Sequence, residues 1–335
     1  MSISTLRDEL REQTVAFAWS QWAQMGVLAD ADRDDRWAAD PEALLLFTLE
    51  IARDDPRLFD ETLDWLLTNE KLMSAQRLRN LARDAEDRAL IEAALAWTAA
   101  RRPRTGRAGS RTKSIPSQAP TATLFRQTQT KVETPDEDFL RHGLMRAPLA
   151  PSGKSRTPQL RNPINFAFRM RSLLGVGARA ETVRVLLGTS AQALSVHDIA
   201  QGAGYAKRNV QDALSSLHAA GTITATTTGN ERRYSIDRYR WAQLLALTPD
   251  ELPVYRNWIA LLGALRHLTR WLTDPANEKL SDYMRASNAR ELMDEITPNL
   301  HAADIHVDEH PPTGPEYWSA FTSTTRAAAQ ALSAA

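Results

Sequence analysis

The sequence predicts a mainly α chain with three parts. These are a helical N-terminal domain, a central three-helix unit closed by a small β-hairpin, and a helical C-terminal region. Three observations predict it. Capped apolar runs recur at helical spacing through the first hundred residues. Near residues 221–236 the period changes from that of a helix to that of a strand pair. A helical rhythm returns after residue 250.

In residues 1–100, Leu6, Leu10, Phe17 and Trp22 keep a roughly helical spacing. Asp40-Pro41-Glu42 sets an N-cap before a proline at the first helical position, and Asp55-Pro56 repeats the signal. Ser74 is placed to cap "AQRLRNLARD", and a further helix covers 87–99. The tryptophans of this part, Trp19, Trp22, Trp65 and Trp97, lie on amphipathic helices and are expected in a core. Residues 101–160 are rich in Arg, Ser, Thr, Gly and Pro and read as a basic flexible linker, with a small ordered patch at "DEDFLRHGLM". Helices are expected again at "INFAFRMRSLLG" and "RAETVRVLLGT". After the hairpin, a long helix is expected from Pro253 to Thr273, and its apolar stripe offers a dimer seam, with packing onto the central unit as the other reading. Shorter helices fit "EKLSDYMRA", "NARELMDEI" and "EYWSAFTSTTRAAAQAL". The divisions are therefore 1–100, 101–160, 161–245 and 246–335.

Composition bounds the function. The 335 residues suffice for two or three domains, and 43% apolar with 24% charged residues is ordinary for a soluble fold. The absence of cysteine excludes disulfides, thiolate metal sites and a cysteine nucleophile. The polar start "MSISTLRDELREQ" is unlike a signal peptide, and no apolar run is long enough for a bilayer, so a cytoplasmic protein without membrane contact is expected. The zero net charge is unevenly spread. Residues 1–100 carry 11 basic and 20 acidic side chains, residues 101–160 carry 12 and 4, and residues 161–240 carry 11 and 5. A basic middle between acidic ends suits contact with a polyanion.

The central unit can be laid out residue by residue. A helix at 181–187 turns Val183, Leu186 and Leu187 inward. Ser195 caps a short helix at 196–201, Gly202-Ala203-Gly204-Tyr205 makes a tight turn, and a third helix runs over 206–220 with Val210, Ala213, Leu214 and Leu217 as its stripe. Gly221 ends it, "TITATTT" and "RRYSI" alternate as strands, and the chain reverses at Gly229-Asn230. This order, with "SVHDIA", "KRNVQDALSSL" and "AAGTI" in sequence, resembles the winged helix-turn-helix family of bacterial transcription regulators over about residues 165–240. The loop "GTSAQALS" is longer than that pattern expects. The resemblance implies a DNA-binding domain whose reading helix carries Lys207, Arg208, Asn209 and Gln211.

The residue chemistry points the same way. Arg and Lys suit guanine, Asn and Gln suit adenine, and the front of a recognition helix is the part that meets base edges. Asp212 is near enough to select cytosine or repel phosphate. In the hairpin, residues 226–228, Asn230, Arg232 and Arg233 are placed for the DNA backbone or minor groove, and the six cations of 101–113 either for an arm along phosphates or for a solubilising tether. The expected partners are double-stranded DNA and a second copy of the chain, with a protein or small-molecule effector at the N-terminal domain. The alternative is an interaction or scaffold protein whose winged helix docks a protein. No phosphate loop, serine elbow or HExxH pattern argues for an enzyme. The group His301, Asp304, His306, Asp308, Glu309 and His310 is set aside as a metal site, because His301 and His306 fall on different helix faces. Neither cofactor nor metal is expected. Finally, "ETLDWLLTNEKLMSAQRLRNLA" from Glu61 echoes "ETVRVLLGTSAQALSVHDIA" from Glu181, either as a degenerate second copy or as generic helical patterning.

Overall fold

Helix starts follow the capping signals closely. The computed structural model describes residues 1–29, 37–102, 121–126, 132–189, 191–229 and 231–333. Its helices in the N-terminal part are α1 (Ile3–Gln24), α2 (Pro41–Ile51), α3 (Pro56–Asn69), α4 (Ala75–Leu81) and α5 (Ala85–Arg101). Asp40, Asp55 and Ser74 each accept a backbone N–H of the following first turn, at 3.1 Å in all three cases. There follow β1 (Ala122–Thr123), α6 (Glu137–Leu140) and β2 (Leu144–Met145), with β1 and β2 parallel. The central unit comprises α7 (Phe166–Leu174), α8 (Ala178–Gly188), β3 (Leu194–Ser195), α9 (Val196–Ala203), α10 (Lys207–Ala219), β4 (Thr224–Thr228), β5 (Glu231–Ser235) and α11 (Arg238–Leu244). The chain closes with α12 (Trp258–Thr273), α13 (Pro275–Glu278), α14 (Asp282–Ala302) and α15 (Tyr317–Gln330).

Two apolar cores organise these elements, and they cut across the expected divisions. One core joins α1–α5 to α12, α14 and α15, so the N-terminal and C-terminal helices are halves of a single body. The other belongs to the central unit. The helix expected from Pro253 begins instead at Trp258, capped by Asn257. The residues before it are held extended: Val254 bridges Trp37, and Tyr255 donates its N–H to the Gly188 carbonyl at 2.8 Å. Neither reading of that helix's stripe holds. Leu261, Leu262, Leu265, Leu268 and Leu272 are buried in the shared core, against α2 and α14, so these five side chains are already covered within the chain. Two of the short C-terminal helices expected from the sequence merge into α14, which runs through Pro298.

The stretch read as a flexible linker is anchored to the helices at several points among the residues described within 121–160, with exposed residues between them. Phe125 and Phe139 pack against Phe59 with ring centroids 5.6 and 5.9 Å apart, because strand pairing of β1 with β2 brings both onto α3. Further on, the Asp64 carboxylate accepts the N–H groups of Gly153 and Ser155, and Gly26 and Asn69 bind the backbone of Arg156. The tryptophan expectation holds for Trp22, Trp65 and Trp97, all fully buried, while Trp19 is half-buried and donates to Asp55.

Candidate nucleic-acid interface

The central unit is built by local signals that leave one helix face outward. Ser195 and Asp198 form a reciprocal capping box on α9. Gly204 ends that helix at φ +68°, a left-handed conformation, and a β-carbon there would sit 3.0 Å from Arg77 Nε. The chain re-enters helix at Lys207. Val210, Ala213, Leu214 and Leu217 are buried, which presents Arg208, Asp212 and Ser215 at the crest of α10. The long loop before α9 has a physical reason: it carries β3, which pairs with β5 to make a three-stranded antiparallel sheet in the order β3-β5-β4.

The predicted site residues separate into distinct environments. Lys207 and Arg208 are exposed at the front of α10. Asn209 and Gln211 are half-buried on opposite flanks of it, and Gln211 donates to the Tyr234 hydroxyl at 3.3 Å and to Ser215 at 3.4 Å. Asn230 lies outside the described residues. Arg232 and Arg233, adjacent on β5, point to opposite faces. Arg232 shares the face of Tyr234 and lies 5.5 Å from its ring, on the side of α10. Arg233 faces the other way and pairs with Glu231 at 2.9 Å. Residues 103–113 of the proposed arm lie outside the described residues. Arg101 is held by Asp136 and Asp138 over the Trp97 ring, and Arg102 pairs with Glu70 while staying about half exposed.

The basic charge of the unit is also partly internal. Arg171 of α7 and Arg184 of α8 join Arg77 of α4 in a buried network with Asp40, Glu42 and Glu181. Three arginines meet three carboxylates, and none of the six residues is more than 5% exposed. Burial alone would raise the Glu181 carboxyl, but Arg171, Arg184 and Arg77 outweigh it and hold the group well below its ordinary range. Arg77 Nε donates to the Ala203 carbonyl at 2.6 Å and Arg184 to that of Gly202 at 3.4 Å, so guanidinium groups satisfy the C-terminus of α9. The Ser74 hydroxyl meets the Tyr205 hydroxyl at 2.8 Å, and Asn80 donates to the Gly204 carbonyl at 3.3 Å. The turn between α9 and α10 is thereby fixed to α4.

This network was not legible in the sequence, although its members were in view. Asp40 and Glu42 stood out only at a helix start, and Glu181 only as the first residue of a helix. The histidine-rich segment 301–310 forms no metal-holding group among the described residues, and no helix among them is long and apolar enough to cross a membrane. Comparison with protein-family models, with curated proteins and with solved structures gives no match.

Proposed function

We propose that this chain is a sequence-specific DNA-binding protein, a transcriptional regulator in which the central unit works as a winged helix-turn-helix and α10 lies in the major groove. The observation that supports it is the exposed front of α10. Lys207 and Arg208 project from a helix whose apolar stripe is fully used, beside a hairpin that turns Arg232 to the same side. Such donors match guanine edges and phosphates. Gln211, already bound to Tyr234, acts in this reading by holding the hairpin against the helix, and Arg233 is a weaker candidate than its neighbour. A homodimer reading two half-sites would add specificity. For an effector, an open cavity of about 470 Å³ lies between α3 and the 123–149 segment, lined by Asp60, Phe125, Met145 and Arg146.

The test is selection of binding sites from random duplex DNA with the full chain. Enrichment of one sequence, with affinity falling steeply as salt rises, supports the reading. Absence of enrichment together with salt-insensitive capture of a protein partner would replace it with the docking role.

A further inference from the structure

Segment 71–83 stands out within the acidic N-terminal part. It contains Lys71, Arg77, Arg79 and Arg83 and no acidic residue. Its helix, α4, is also the element that grips the turn leading into α10. Arg77 spends its charge in the buried network, but Gln76, Arg79, Asn80 and Arg83 remain exposed. Gln76 and Asn80 are one turn apart on a shared face. Asn80 already touches Gly204, three residues before the first residue of α10. Arg83 follows directly after the C-cap residue Ala82 and has no ion-pair partner among the described residues. Arg79 pairs at the surface with Glu92, its one ion-pair partner among the described residues.

We propose that α4 and the residue run after it form a second DNA-contacting element, in which Arg79 and Arg83 meet phosphates flanking the groove that α10 enters. The inference rests on the DNA-binding reading above and extends it to a part of the chain outside the central unit. The Arg77, Ser74 and Asn80 contacts fix α4 to the α9–α10 turn, so α4 is held at a set position relative to the start of α10. The α4 contacts are electrostatic and carry no base information, so their role is affinity and register.

The experiment uses the full chain and the duplex it selects. The slope of log affinity against log salt is measured for the parent, for Arg79→Gln with Arg83→Gln, for Arg83→Gln alone, and for Lys154→Gln with Lys279→Gln, which removes the same charge at exposed positions elsewhere. The slope is expected to fall in magnitude by about 0.9 for each phosphate no longer neutralised, hence up to about 1.8 in the α4 double variant. The selected sequence should stay the same, and the control pair should keep the parent slope. Arg83→Gln alone breaks no ion pair within the described residues and guards against misfolding of the double variant. A parent that binds duplex while both α4 variants keep its slope, or change no more than the control, overturns the α4 element alone. A parent that binds no duplex overturns the DNA-binding reading itself.

Discussion

Arg77 Nε donates to the carbonyl oxygen of Ala203 across 2.6 Å, so a side chain of α4 completes the last turn of a helix 126 residues further along. The same guanidinium pairs with Asp40 and Glu42. Arg77→Met keeps much of the volume but takes one of two cations from each of two buried carboxylates, leaving Asp40 to Arg184 and Glu42 to Arg171, and removes the Nε donor from the Ala203 carbonyl. Breaking a buried pair in this way costs about 3–5 kcal/mol. Urea denaturation should show a loss of that order. A loss below about 1 kcal/mol would mean that water or neighbouring arginines take over the role.

Acid should weaken the same network. The Glu181 carboxyl is depressed in the folded protein and returns towards its ordinary 4.5 when unfolded. The unfolded state then binds more protons at low pH, so the stabilisation is present above pH 4.5 and is lost as pH falls below that value. Glu181→Gln removes the titration. Its urea midpoint should lie lower at neutral pH but change less than the parent's between pH 5 and pH 3. Parallel curves for the two proteins would remove Glu181 from the account of acid sensitivity.

Arg208→Ala should leave the fold intact, since the side chain is exposed on the crest of α10. Removing one bidentate base interaction costs about 1–3 kcal/mol. The variant should therefore bind the selected duplex about 5–150-fold more weakly, with little change on unrelated DNA. An equal loss on both DNAs would place Arg208 on phosphate instead.

The hairpin arginines should not behave alike. Arg232→Ala is expected to weaken DNA binding and flatten its salt dependence. Arg233→Ala should do less, because its guanidinium faces away from α10 and is engaged by Glu231. Fluorescence anisotropy with one labelled duplex over a salt series compares them directly. A larger effect at Arg233 would show that the opposite face of the sheet meets DNA.

Tyr255 and Gly202 should couple. A β-carbon at position 202 would lie 2.7 Å from the Tyr255 hydroxyl oxygen and 3.2 Å from Val185 Cγ2. Gly202→Ala is expected to cost about 1–3 kcal/mol through overpacking. Tyr255→Phe removes the closest atom, so the double variant should be less destabilised than the two single changes added together. Additivity in thermal or urea melts would mean that the strain is relieved elsewhere.

Much of the architecture was readable because it depends on local signals. Caps at Asp40, Asp55, Ser74 and Ser195 act within one turn, and the stripe of α10 needs only its own spacing. The echo between the segments at Glu61 and Glu181 extends to capping: Ser74 and Ser195 each accept the N–H three residues on. What the sequence hid was the destination of each face. Nothing in the rhythm of α12 says that its stripe meets α2 rather than another chain. Likewise Arg171 and Lys207 count equally in a charge sum, although the first is buried against Glu42 and the second is in solvent. For the exposed front of α10, Lys207 and Arg208 were legible from the helix's own spacing. The separation of Arg232 from Arg233 required the register of β5 against β4.

The shared core has a consequence for biosynthesis. Met1 accepts the indole N–H of Trp318, and Glu9 pairs with Arg326, so the two ends of the chain lie side by side. Helices α1–α5 leave the ribosome long before α12, α14 and α15, whose side chains complete their core. At about 5–20 residues per second, the emerging half waits on the order of ten seconds or more with apolar surface uncovered. The central unit has its own core and is finished first. A nascent chain at this stage carries a formed central unit on an unfinished body, with the α2 face that α12 later covers open to water.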